Sequence, residues 1–489
     1  MLKKTISTIS LASLFLVLLL VPVFAGTEDN SHLSLKIDPE KLSKLQSIDD
    51  QDLNPDFLNL DLKGEFELKT YPSQIALTKV LTPLERDDED YAKEVIANNR
   101  KFHQNILNNL HLVYSPVYAN LISGDVTLFE DEEIPQNLFP ETKSQKFDKG
   151  SKKYNCNNRQ FNPEFCITDK DLENILKNNA EMVSKYKNVI NTYPALKGKF
   201  ILLGEPIIQI NEFFSHYWSY MTRNAQGEAA LKEALKHYDF WQKSLSYPRE
   251  NMEAAVILIL RGIAFTGLSD ILTERPDLIP EYKDEIIQTL SHPIFGKKGW
   301  NIEGTNKKNL ERIYTYVKAY EAQAKTSHSF AYRPNATRNQ MVEYYDHVQS
   351  FHTMNAQQLI KMKNNDATQK WHDNLLRTEP VLDNYMGKLF LATLPISYHL
   401  TLNEYDQANS RRALLLFVMA HSEDIAADDM ATFLTKAPED LYNAVTNKPM
   451  TWDAERSAIV SINTDGCRDL LYYKKTDQDK DKPLTVCPE

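Results

Sequence analysis

Arg261 stands near the middle of the longest apolar stretch outside the N-terminus, Met252 to Leu272, MEAAVILILRGIAFTGLSDIL. On helical spacing Ile257, Leu258, Ala264, Phe265 and Leu268 surround it on one side, and Val256, Ile259 and Ile263 face the other. A helix apolar nearly all round belongs inside something. A guanidinium keeps its charge and carries five donors, so within a core it must find a carboxylate or several carbonyls. Left unpaired it would cost several kcal/mol. Asp239 and Glu212, on neighbouring predicted helices, are the candidate partners. Three roles are open: a buried polar clamp between helices, a side chain that snorkels to the surface, and an anion-binding group in a cleft. A membrane span is disfavoured, because arginine at mid-bilayer costs about 2.5–3.5 kcal/mol and only sixteen residues separate Glu253 from Asp270.

Other residues could also do chemistry. Glu212 and His216 lie one helical turn apart and could form an acid–base pair in a cleft; an exposed ion pair or a core histidine explains them as well. Phe213, Phe214, Tyr217, Trp218 and Tyr220 crowd the same stretch, and Tyr314, Tyr316, Tyr320, Tyr344 and Tyr345 crowd others. Such faces can hold glycans, although at helical spacing they more often fill a core. Asp346, His347, His352 and His372 cluster behind Glu343, but His347 and His352 are five apart, about 140 degrees around a helix. No Glu-x-x-His pair occurs, so neither a zinc helix nor a di-iron set is expected, and no cofactor is implied. Ser184 and Lys187 lack the partners of a serine–lysine hydrolase, and no Gly-x-Ser-x-Gly elbow or phosphate-cradling glycine loop is present.

The four cysteines form two close pairs, Cys156 with Cys166 and Cys467 with Cys487. Local pairing is the simplest of three connectivities. None has the two-to-four spacing of a zinc site, so disulfides in an oxidising compartment are expected. Residues 1–25 read as a secretory signal: Lys3 and Lys4, an apolar run from Leu11 to Val21, then Pro22, Val23 and Ala25 before a cut at Gly26. An uncleaved anchor is the alternative, and the run is short for a span. The expected location is therefore periplasmic or secreted, with no stable membrane span after cleavage. The net charge of -11 would repel nucleic acid and anionic membrane surfaces, so neither is expected as a partner.

The elements that must position these groups are helices. Only 14 glycines occur in 489 residues, with 42% hydrophobic residues, which disfavours turn-rich sandwiches and barrels. After the leader, residues 26–168 form a mixed N-terminal region with a possible strand pair near 65–81 and a helix at 84–110. A long excursion follows at 111–168, stapled by the first cysteine pair. The helical body occupies 169–437, with helices expected at 169–192, 205–222, 227–247, 251–273, 280–291, 306–325, 336–363, 366–377, 381–393 and 403–421. Residues 438–489 hold a β-hairpin, Met450 to Trp452 with Ala458 to Ile462, and a tail closed by the second cysteine pair. The fold class is all-α: an irregular array of antiparallel helical hairpins, as bundle, solenoid or ring, with this small β element.

Three pieces, Tyr238-Asp239-Phe240-Trp241 through Leu272, Met386-Gly387-Lys388-Leu389, and Asn447-Lys448-Pro449-Met450-Thr451-Trp452-Asp453, together resemble a loosely defined group of exported, largely helical bacterial proteins without an established activity. The likeness spans about half the chain. A glycine often stands in that group where Asn447 is here, and asparagine tolerates the same left-handed turn. The resemblance implies an exported helical protein and supplies no catalytic residue. The expectation is a non-catalytic binding or envelope-associated scaffold whose partner is an envelope protein or a glycan. The alternative is a glycan-acting hydrolase or lyase of helical-ring fold, whose scattered carboxylates leave no local motif.

Overall fold

The computed structural model describes residues 34–36, 50–64, 70–80, 90, 92–98, 125–127, 169–198, 204–323, 332–392 with interruptions between 366 and 383, 398–473 and 485–487. The expected leader at 1–25, the Cys156–Cys166 pair and nearly all of the 111–168 excursion lie outside them. Within that excursion Asp125–Thr127 (β2) pairs antiparallel with Ser34–Lys36 (β1).

The protein is mainly helical, with a small antiparallel sheet at its C-terminal end, as the glycine count and hydrophobic periodicity implied. Two short helices come first: Asp56–Asn59 (α1) and Pro72–Val80 (α2). Residues 65–69 and 81 lie outside the described residues, and the second helix occupies most of the later part of the span where a strand pair was expected near 65–81. Ser73, Gln74, Leu77, Thr78 and Val80 are its buried residues, a helical stripe rather than an alternating one. In the helix expected at 84–110, residues 92–98 are helical, with Ala92 and Ile96 buried.

The single helix expected at 169–192 is two, Asp169–Asn178 (α3) and Ala180–Thr192 (α4). They part at Asn179, whose side chain donates to the Ile175 carbonyl at 2.8 Å, the oxygen that also accepts the Asn179 amide at 3.0 Å. Gly204–Arg223 (α5), Gly227–Leu245 (α6), Asn251–Glu274 (α7) and Ile279–Leu290 (α8) match the expected spans closely. Glu250 is the N-cap residue of α7, and its amide donates to the Glu253 carboxylate at 3.4 Å. Helix α7 packs against α5 and α6. At Gly267 a Cβ would come within 2.6 Å of the Trp218 ring, so only glycine permits that approach of α5.

Helix α7 is not enclosed all round. Ile257, Leu258, Leu260, Arg261, Ala264, Leu268, Ile271 and Leu272 are wholly buried, while Val256, Ile259 and Ile263 are half-buried and Thr266 is exposed. The side expected to be covered therefore lies at the edge of the body.

The chain continues through Ile302–Gln323 (α9), Pro334–Ser350 (α10), Ala356–Asn364 (α11), Tyr385–Ala392 (α12), Tyr398–Ser422 (α13) and Met430–Thr435 (α14). The helix expected at 336–363 breaks after Ser350. It restarts at Asn355, whose Oδ1 accepts the Gln358 amide at 3.0 Å while Gln358 Oε1 accepts the Asn355 amide at 2.9 Å. That reciprocal cap makes a new start cheaper than continuing.

Among the described residues two large hydrophobic cores result, with a small third cluster of Ala458, Val460, Leu470 and Tyr472 in the sheet. One gathers α2 to α8 with the C-terminal half of α13 and α14; the other gathers α1, α9, α10, α11 and α12 with the N-terminal part of α13. Helix α13 bridges them, contributing Leu402 and Tyr405 to one and Leu414 to Val418 to the other.

The expected terminal hairpin is half of a four-stranded sheet: Thr451–Asp453 (β3), Ala458–Ile462 (β4), Arg468–Tyr472 (β5) and Thr485–Val486 (β6), in that order and antiparallel. Cys467 and Cys487 are disulfide-bonded and flank the β5–β6 pairing of Arg468 with Val486. Asn447 adopts φ 53°, the left-handed turn inferred for it.

Candidate functional site

Arg261 is fully buried and its guanidinium is satisfied from three directions. Nη1 donates to Gln242 Oε1 at 2.7 Å and to Glu404 Oε1 at 3.2 Å. Nη2 donates to Glu404 Oε2 and, at 2.6 Å, to Gln407 Oε1, which also accepts from Nε at 3.1 Å. The two glutamines are held in turn: Gln242 Nε2 donates to the Lys298 carbonyl at 3.1 Å and Gln407 Nε2 to that of Leu258 at 3.2 Å. The carboxylate partner is thus Glu404 on α13, correcting the expectation of Asp239 or Glu212. Asp239 instead pairs with Lys243 at 2.6 Å near the surface. The reason is topological: α13, far along the chain, is laid beside α7.

Around this pair lies a wider polar cluster. Arg411, one turn-pair along α13, is 3% exposed and reaches Glu404 Oε1 only at 3.5 Å through Nη2. Its Nη1 is buried with no hydrogen-bond partner among the described residues. Burial opposes the charge of both arginines; Glu404 nevertheless holds Arg261 above its ordinary pKa, whereas Arg411 is pulled below its own. Tyr238 and His292 meet at 3.4 Å, hydroxyl to Nε2. Burial raises the tyrosine, and burial with Arg411 and Arg261 lowers the histidine, so both are neutral near pH 7.

Glu212 and His216 are half-buried on α5 and are not among the groups hydrogen-bonded to Arg261. Burial, reinforced by Arg223, lowers His216 to about 4, so it carries no charge over the neutral range. The aromatic crowd on α5 divides: Phe213, Phe214 and Trp218 are core, while Tyr217 and Tyr220 are partly exposed. The core tyrosines of the second crowd are Tyr320 and Tyr344. Lys187 pairs with Glu233 at 3.0 Å while Ser184 is exposed, so the two do not form a dyad. His347 stacks on Trp371 with centroids 3.9 Å apart, and no metal-ligand group of three occurs among the described residues.

Two features escaped sequence reasoning. His237 sits fully buried in an aromatic box, its ring 4.7 Å from Phe214, 4.9 Å from Trp218 and 5.5 Å from Tyr186, and burial lowers its pKa to about 3. No local pattern marks it. The other is a cleft of about 140 Å³ between α7, α13 and the sheet, lined by Asp270, Asp469, Phe265, Ser269, Ser410 and Tyr472 among others. Burial raises the pKa of Asp469, against hydrogen bonds from Thr485 at 2.7 Å and Asn463 at 3.4 Å.

Helix α7 is the one helix among the described residues long and apolar enough to cross a membrane, and half of its apolar window is buried within the protein. Comparison with protein-family models, with curated proteins and with solved structures found no match.

Proposed function

We propose that this is an exported, envelope-associated binding or scaffold protein without catalytic activity. The observation that carries this reading is the engagement of Arg261. The charged group most available for chemistry in the sequence is spent on Glu404, Gln242 and Gln407 inside the body, as a clamp joining α6, α7 and α13. A clamp of this kind fixes how helices meet and presents nothing to a substrate. The Cys467–Cys487 bond supports an oxidising compartment, and the secretory signal read at 1–25 gives the route there.

In-cell crosslinking followed by affinity recovery tests the reading. The expected result is a reproducible envelope protein or glycan crosslinked to the mature chain. Recovery of the protein in the cytoplasm with its leader intact would overturn it.

A second reading, a glycan-acting hydrolase or lyase, is favoured by the cleft. Asp270 and Asp469 line one concavity beside two aromatic rings, and a buried carboxyl with a raised pKa is what a general acid requires. A polysaccharide and peptidoglycan screen with turnover abolished by Asp469→Asn would replace the scaffold by this reading. Absence of turnover across the screen would remove it.

A further inference from the structure

Among the described residues Arg249, Arg261, Arg333 and Arg411 are buried, and three of them differ in how their charge is met. Arg249 spreads its donors over the carbonyls of Ser244, Gly198 and Leu196. Arg261 has a carboxylate and two amide oxygens. Among the described residues Arg411 has a single hydrogen bond at 3.5 Å, to an oxygen that Arg261 already holds at 3.2 Å, and an Nη1 with no partner.

Charge counting gives the same answer. Two guanidiniums face one carboxylate, Glu404, while Tyr238 and His292 beside them are neutral. The next cation along the helix, Arg412, is turned to the Tyr442 carbonyl. One positive charge is left over in this cluster. Arginine cannot shed its proton to escape, and a buried charge without a counter-charge is the costliest polar arrangement in a protein interior.

We propose that a small monovalent anion binds at the α7–α13 joint against Arg411 Nη1, completing a cluster of two guanidiniums and two negative charges. Its valence follows from the count, because a divalent anion would overshoot neutrality. Its small size follows from the burial of the three charged groups of the cluster, Arg261, Glu404 and Arg411. A halide or a small carboxylate meets both conditions, and chloride is the reference probe. Water could accept the hydrogen bond from Nη1 but would leave the charge unbalanced.

The test is thermal unfolding of the purified protein as sodium chloride replaces sodium gluconate at constant ionic strength. The expected result is a melting temperature that rises and saturates with chloride, by the mass action of a ligand that binds only the folded state. Arg411→Met abolishes that rise. Because the variant could fail to fold, crystals of the unaltered protein grown in bromide give an independent readout, an anomalous peak at hydrogen-bond distance from Arg411 Nη1. No chloride-dependent rise, an equal rise in Arg411→Met, or a water without anomalous signal at Nη1 would each overturn the proposal.

Discussion

Helix α13 presents two polar stripes to two different regions. Glu404, Gln407 and Arg411 face α7, where charge accumulates as surplus cation. Asp406 and Asn409 face the C-terminal sheet, where it accumulates as carboxylate: Asp406 accepts from the amide and hydroxyl of Thr464, both at 2.7 Å, and Asp469 lies close enough to raise its pKa further. Asn409 links the same face to the Ile462 carbonyl at 2.9 Å. The residues are interleaved along one helix, yet the remedies differ. A crowded, buried carboxylate can take up a proton; a guanidinium cannot, and needs a counter-charge from elsewhere. The sheet side can therefore adjust its charge with pH, while the α7 side is fixed.

The largest expected effect comes from removing the one negative charge on the fixed side. Glu404→Gln leaves Arg261 and Arg411 facing each other without a carboxylate and should cost about 3–5 kcal/mol, the usual penalty for breaking a buried pair. Arg261→Met leaves Glu404 with Arg411, a balanced pair, and should cost clearly less. Urea denaturation of both variants checks the order. Equal losses would show that the clamp works by packing and not by charge.

On the sheet side the largest single contribution is covalent. Breaking Cys467–Cys487 by a double Cys→Ser substitution should cost about 3 kcal/mol, the value for a closed loop of this order in the chain-entropy model. The loss should appear as fraying of β5 and β6, where amide hydrogen exchange would accelerate, while α7 stays protected. Acceleration spread evenly over both regions would mean that the sheet and the α7 joint unfold as one unit.

How much of this contrast was legible in the sequence depends on range. That Arg261 needed a partner could be read from its apolar neighbours alone. The partner could not, because Glu404 is 143 residues away and nothing local ties α13 to α7. The Asn355-x-x-Gln358 restart was written in the sequence but concealed by the helical periodicity on either side of it. Strands β5 and β6 were missed for a different reason. The polar Arg468 and Asp469 open β5, so the alternation that reveals a strand is weak there, and the cysteine spacing was the better signal. The half-exposed side of α7 shows the limit of composition: Val256, Ile259 and Ile263 are as apolar as the buried side, and a pattern of types does not say where the body ends.

The pH response should separate the two stripes. Asp406 rises from 3.8 to about 6 in the folded protein because of burial, against the hydrogen bonds of Thr464. The folded state then binds its proton more tightly than the unfolded chain does. The resulting stability is complete below about pH 4 and is lost as pH rises through 6, amounting to about 2–3 kcal/mol. Histidines such as His237, lowered to about 3 by burial, act in the opposite sense: their contribution is complete above pH 6.5 and is lost as pH falls towards 3. Comparison with Asp406→Asn cancels the histidines and isolates the carboxylate. The stability difference between the two proteins should change between pH 4 and 6 and be flat above 7. A difference constant with pH would mean that Asp406 does not titrate in this window.

The smallest expected effect is the most informative about the fixed side, because its sign depends on the medium. Arg411→Met removes a buried donor that has no partner and leaves Arg261 and Glu404 as a neutral pair. Without chloride the variant should be more stable than the parent by about 1 kcal/mol, the lower end of the cost of an unsatisfied buried group. As chloride is added the parent gains stability and the variant does not, so the difference should shrink and then reverse. Stability curves that cross at a finite chloride concentration would place the missing charge at the α7–α13 joint. Parallel curves would return Arg411 to an ordinary packing role and leave both stripes of α13 without need of a ligand.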